Sequence, residues 1–164
     1  MSRRMPLWTD EPQEVPDAEH ERLVDRVCAI DVGKQSGKVC TRVPHAEQAQ
    51  RRVCKVWDVA ATTNAVSQLA EQLLDLGVKK VTVESTADYW RIWFYLLEAR
   101  GLDVQLVNAR DVRNVPGRPK TDLDAVWLAK LTEKGIPRRA CCVRPSCRPG
   151  RCGSCATTPD CAST

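Results

Sequence analysis

Apolar residues recur along this chain at two spacings, and the change from one to the other marks its elements. Val27-Cys28-Ala29-Ile30 is a short unbroken apolar run ending at Asp31, with Gly33 and Gly37 close behind, which predicts a buried strand entering a turn. Lys38 to Val43 and Arg52 to Val59 alternate roughly and carry β-branched residues, so the three segments read as an antiparallel meander. After Thr62, Thr63 and Asn64, all good N-caps, the spacing becomes helical: Val66, Leu69, Ala70, Leu73, Leu74 and Leu76 form the stripe, and Gly77 stops it. Val78 to Val83 is another β-branched run ending in an acid, Glu84. Tyr89-Trp90 to Ala99 predicts a helix stopped by Gly101, and Val104 to Val107 a further buried strand. Asn108 to Val115 reads as a short helix or a loop. Pro116-Gly117-Arg118-Pro119-Lys120 is a break, and Thr121 to Lys134 is the last helix, with Leu123, Trp127 and Leu131 on one stripe and Val126 beside it. The order β-β-β-α-β-α-β-α implies an α/β fold: a mixed sheet covered by helices.

Length and composition narrow this little. The 164 residues suffice for one domain with extensions, and 43% hydrophobic with 28% charged residues is an ordinary globular profile. No apolar run is long enough to cross a bilayer. Met1 to Glu21 carries three prolines and scattered charges with no apolar core, so it reads as a loose arm rather than a secretory signal, and the chain as cytoplasmic. The expected organisation is an arm over 1–24, a domain over 25–137 and a tail over 138–164.

Locating the charge changes the picture more. Residues 1–137 hold 20 Lys/Arg and 20 Asp/Glu, so the whole net charge of +4 comes from five arginines and Asp160 in the last 27 residues. Six of the nine cysteines lie there too. This Cys, Arg, Pro, Ser and Thr-rich stretch is what out-of-frame reading of GC-rich DNA would produce. The alternative is a zinc site, with Cys152 and Cys155 as a Cys-x-x-Cys pair and Cys147 and Cys161 nearby.

Candidate chemistry lies with the carboxylates. Asp31 and Glu84 each follow a buried strand, and Asp122 and Asp124 open the last helix. Acids at the ends of neighbouring strands and on a helix packed over them can converge, and converging carboxylates repel unless a cation joins them. Their hard oxygens suit Mg²⁺ or Mn²⁺, and two such ions about 4 Å apart serve phosphodiester chemistry. The plainer alternatives are solvated turn residues for Asp31 and Glu84 and, through Thr121-x-x-Asp124, a capping box. Arg110, Arg113, Arg118 and Lys120 surround the Pro-Gly break and suit phosphate contacts, or else a solvated loop. Trp90, Trp93, Phe94, Leu96 and Leu97 have the spacing of a core rather than of a base-stacking face. Cys28, Cys40 and Cys54 read as buried small hydrophobes, and His20 and His45 support no triad.

Four segments carry a resemblance. Ala29-Ile30-Asp31-Val32-Gly33-Lys34, Val83-Glu84-Ser85-Thr86-Ala87-Asp88-Tyr89-Trp90, Leu106-Val107-Asn108-Ala109 and Asn114-Val115-Pro116-Gly117-Arg118-Pro119-Lys120-Thr121-Asp122 resemble the N-terminal domain of IS110-family transposases, over about residues 25 to 137. The resemblance implies a RuvC-like, ribonuclease H-type fold and a metal site of Asp31, Glu84, Asp122 and Asp124. It also implies DNA recombination with a structured guide (bridge) RNA, a homo-oligomeric full-length protein and no membrane partner. Family members read Lys-Thr-Asp-x-x-Asp-Ala, whereas Lys120-Thr121-Asp122-Leu123-Asp124-Ala125 is one residue shorter. Two residues on a helix stand about 160° apart where three stand about 60° apart, so both acids cannot face one metal from a regular helix; with Asp122 before the first helical turn, the loop would absorb the difference. The family's C-terminal serine domain would follow where this chain turns to its Cys/Arg-rich tail, which implies a truncated fragment inactive on its own.

Overall fold

The computed structural model describes residues 13–14, 24–48, 50–85, 87–113, 115 and 124–135. The meander forms as the alternation predicts: β2 (Val27–Val32), β3 (Ser36–Pro44) and β4 (Arg52–Ala60) pair antiparallel in turn. Helix α1 (Thr63–Asp75) carries the chain back so that β5 (Lys80–Ser85) lies parallel to β2. A 3₁₀ turn (Asp88–Trp90) and α2 (Arg91–Ala99) return it again, and β6 (Val104–Asn108) lies parallel to β5. A short α3 (Ala109–Arg113) follows, and α4 (Asp124–Glu133) closes the described chain. The loop-or-helix segment after Asn108 is thus helical, its first turn held by the Arg110 amide donating to Asn108 Oδ1 at 2.9 Å.

One strand escapes the hydrophobic pattern. Gln13–Glu14, β1, pairs antiparallel with Val56 and Lys55 of β4, so that part of the arm expected to be loose is fixed to the sheet. Two residues have no periodicity to read; the open ladder edge of β4 is what holds them. The sheet order is β1-β4-β3-β2-β5-β6.

Two helical layers cover this sheet. Cys28 and Ile30 of β2 face α1 and α2, joining Val66, Leu69, Leu73, Val83, Trp93, Phe94 and Leu97. Ala29 faces α4 with Cys40, Cys54, Val56 and Val107. Burial on both faces is why β2 reads as a continuous apolar run rather than an alternation. Gly37 is packed so closely that an added Cβ would lie 2.9 Å from Trp93 Cζ2. Thr62 caps α1 by accepting from the Ala65 amide, and Gly77 and Gly101 end their helices at φ 66° and 86°. Leu74 and Leu76 leave the expected stripe and are 46% and 38% exposed. Leu74 sits about 80° around from Val66, at the stripe's rim, and Leu76 lies past the last helical turn. Helix α4 is not striped as expected: every residue from Ala125 to Glu133 is buried, while Leu123 lies outside the described residues.

Candidate functional site

Parallel pairing of β2 with β5 puts Asp31 directly opposite Glu84. Register partners in neighbouring strands point to the same face about 5 Å apart, so two carboxylates stand side by side. Both are penultimate residues inside their strands rather than turn residues beyond them. Glu84 is buried and Asp31 half-buried. Their face is the one α4 covers, since Thr82, two residues before Glu84, meets Thr132 of α4 hydroxyl to hydroxyl at 2.8 Å.

The charged row extends across the sheet. Lys38 of β3 is the register partner of Asp31, and Asp58 of β4 is the partner of Lys38. Lys38 Nζ donates to Asp58 Oδ2 at 2.9 Å, so this lysine is anchored on the side away from Glu84. The row Asp58, Lys38, Asp31, Glu84 runs over four strands at the edge where β2 and β5 end. The sequence pattern did not single out Lys38 or Asp58, because their role depends on pairing alone.

Helix α4 runs over this face with its far end tied down. Glu133 Oε2 accepts from Arg42 Nε at 2.9 Å, and its Oε1 lies 3.3 Å from Arg52 Nε. Arg52 also donates to Asp25 Oδ1 at 3.0 Å and to the Asp25 carbonyl at 2.7 Å. Arg42 stands opposite Val27, the first residue of β2. The end of α4 therefore lies over the start of β2 and its beginning toward the edge bearing Asp31 and Glu84. Asp124 opens the helix at that edge. At 100° per residue it lies about 180° around from Glu133 and about 80° from Thr132. Among the described residues, no three His, Cys, Asp or Glu, these acids included, form a group that could hold a metal ion.

The remaining expected residues fall as follows. Asp122, Arg118 and Lys120 lie outside the described residues, as do Cys147, Cys152, Cys155, Cys161 and His20. Arg113 ends α3, and Arg110 is exposed near that helix's start. Trp93, Phe94 and Leu97 are core, as their spacing predicts, while Trp90 and Leu96 are half-buried. Cys28, Cys40 and Cys54 are buried free thiols, with Cys40 and Cys54 Sγ 3.4 Å apart. Burial pushes the Cys28 thiol far up, and the contact with Cys54, then burial, does the same for Cys40. None of the three suits nucleophilic work. His45 Nδ1 accepts from the Glu47 amide at 3.2 Å in a surface turn and meets no triad.

A family model described as a transposase, of the IS110 DEDD type, matches residues 28–140. The chain belongs to the IS110 DEDD transposase family. Its match covers the sheet from Cys28 of β2 through β6, α4 and both in-register acids. No curated protein matches the chain. Among solved structures it is similar to the Ppx/GppA family member of Aquifex aeolicus, at 10% identity over 55% of this chain, with a TM-score of 0.38. A further structure, of the Aquifex aeolicus PPX-GPPA enzyme, gives 10% identity over 54% and 0.38, and the type II variant of the Aquifex aeolicus Ppx/GppA phosphatase 13% over 52% and 0.34. The chain spans 37%, 38% and 36% of those structures, and likeness at this level carries no functional argument. No helix among the described residues is long and apolar enough to cross a membrane.

Proposed function

We propose that this chain acts in DNA transposition through metal-dependent phosphodiester chemistry on a ribonuclease H-like, RuvC-like scaffold. The observation that carries the reading is the register of β2 and β5, which sets Asp31 beside Glu84 at the sheet edge. An antiparallel meander continued by two parallel strands, with helices on both faces, supports the fold assignment. Two adjacent hard-oxygen donors fit Mg²⁺ or Mn²⁺ better than a softer ion. Asp31 and Glu84 would hold the cation, joined by Asp122 and Asp124 as the resemblance implies. When bound, the cation supplies charge neutralisation at a scissile phosphate. The protein's own contribution is placement: the sheet fixes the two acids, and Asp58 draws Lys38 to the side away from Glu84. Arg110, Arg113, Arg118 and Lys120 would take the flanking phosphates. DNA is the substrate in this reading, a structured guide RNA and further copies of the chain are its partners, and the serine chemistry belongs to a separate domain.

The position of Asp124 on α4 favours a second reading, in which the chain binds nucleic acid or joins an intact transposase without cutting. Two measurements on the full chain separate them. In the first reading millimolar Mg²⁺ raises the melting temperature, since a cation that binds only the folded state stabilises it by mass action, and Asp31→Asn blunts the rise. Labelled DNA is nicked in Mn²⁺ by wild type and not by Asp31→Asn. A cation response without nicking selects the binding reading. No response in either protein removes the metal site.

A further inference from the structure

The parallel strands bring more than acids to the same edge. Because β2, β5 and β6 run the same way, the segments leaving them (33–35, 87–91 and 109–110) emerge together. Each carries an exposed cation: Lys34, Arg91 and Arg110. The first segment is held by Gly33 N–H to the Ser36 carbonyl at 2.9 Å and Ala61 N–H to the Gln35 carbonyl at 2.8 Å. The single acid in these segments is Asp88, 3.6 Å from Arg91.

Aromatic rings stand beside one of these cations, Arg91. The chain has two tyrosines, and both are here: Tyr89 is 45% and Tyr95 48% exposed. Trp90 lies half-buried beside them, its ring 6.1 Å from Tyr95 and tilted by 37°. The buried Phe94 packs edge-on against both, at 5.8 Å from Trp90 and 5.7 Å from Tyr95. Arg91 sits 5.7 Å over the Trp90 ring. Helix α2 is thus divided, with Trp93, Phe94 and Leu97 in the core and an aromatic face turned outward. The spacing that predicted a core is right for those three and silent about Tyr89 and Tyr95. Trp90 and Tyr95, backed by this buried ring, are already in place, so a flat ligand would cost them little freedom on binding.

We propose that this face is a stacking surface for single-stranded nucleic acid: Tyr89, Trp90 and Tyr95 take bases, and Lys34, Arg91 and Arg110 take the phosphates. Planar rings interleaved with guanidinium groups match bases and phosphates in alternation. Tyr89 is five residues from Glu84, at most about 18 Å of chain. The stacked bases therefore lie a few nucleotides from the paired acids. This deepens the transposase reading, and its test is run in EDTA so that the two fail separately.

Fluorescence anisotropy of the full chain with labelled oligo-dT, oligo-U and duplex DNA decides the matter. Tyr89→Ala/Tyr95→Ala should bind single strands at least about fivefold more weakly and duplex nearly unchanged. Tyr89→Phe/Tyr95→Phe should bind as wild type does, because the ring face and not the hydroxyl makes the contact. Lys34→Gln/Arg91→Gln/Arg110→Gln should flatten the salt dependence by about 0.7 log–log units per lost phosphate contact. A preference for dT or for U names the strand as DNA or RNA, and either supports the surface. Equal single-strand affinity in wild type and the double alanine variant, both shown folded by circular dichroism, overturns it. So does sedimentation in which that variant changes from dimer to monomer with its oligonucleotide affinity intact, since the face would then be a contact between copies.

Discussion

Two glutamates buried on the same face of one sheet, under one helix, have opposite neighbours. Glu133 receives Arg42 and Arg52 from two adjacent strands, and Asp25 bonds the second arginine in turn. Its charge is balanced inside the protein. Glu84 has another carboxylate, Asp31, as its register partner. Burying a charge is costly unless it is paired, and a second acid alongside adds repulsion. A chain that supplies two arginines at one end of α4 and two adjacent acids at the other treats the two ends differently. At the first end the acid is paired with two arginines of the sheet. The second is the end where, in the proposed reading, a divalent cation would join the two acids.

The largest test of that contrast is Glu133→Ala. Leaving two buried guanidinium groups without their carboxylate should cost about 3–5 kcal/mol, read as a lowered urea midpoint. Replacing the whole group, as Arg42→Met/Arg52→Met/Glu133→Leu, should be near neutral, because buried ion pairs return little beyond their own desolvation. A loss in the triple variant as large as in the single one would mean that the charges themselves hold α4 in place.

Next is Glu84→Gln, where the comparison predicts the opposite sign. In metal-free buffer the variant should be as stable as wild type or more so, since it removes one of two adjacent charges. In millimolar Mg²⁺ wild type should overtake it. Destabilisation in both buffers, on the scale of Glu133→Ala, would make Glu84 a structural acid like Glu133.

Local features of this fold were legible and long-range ones were not. The run Val27 to Ile30, the cap at Thr62 and the stops at Gly77 and Gly101 are read from neighbours in the chain, and all stand in the structure. Asp31 and Glu84 were identifiable as acids near strand ends. Their adjacency was not, because it depends on β5 pairing in parallel with β2 across 53 residues of sequence rather than on any pattern within either strand. The Arg42–Glu133 pair spans 91 residues and left no sequence signal beyond an acid in an apolar helix. Strand β1 was invisible for a different reason: two polar residues pair because an edge is open to them.

The smallest expected effect is the most discriminating, and it concerns Lys38. This lysine lies between Asp58 and Asp31 in the register and bonds Asp58 at 2.9 Å. The pair is about a third exposed, so Asp58→Asn should change stability by less than about 1 kcal/mol. Its consequence at the acidic edge should be clearer. Released from Asp58, the ammonium is left with Asp31, its register partner on the other side, as its neighbouring carboxylate. It would then compete with Mg²⁺, and the concentration giving half the thermal shift should rise about two- to fivefold, the range of a partly exposed ion pair. Lys38→Met in the same background should restore the wild-type midpoint, because no ammonium is left to compete. If Asp58→Asn leaves the midpoint where it was, Lys38 does not reach Asp31, and Asp58 has no part in keeping the edge open to a cation.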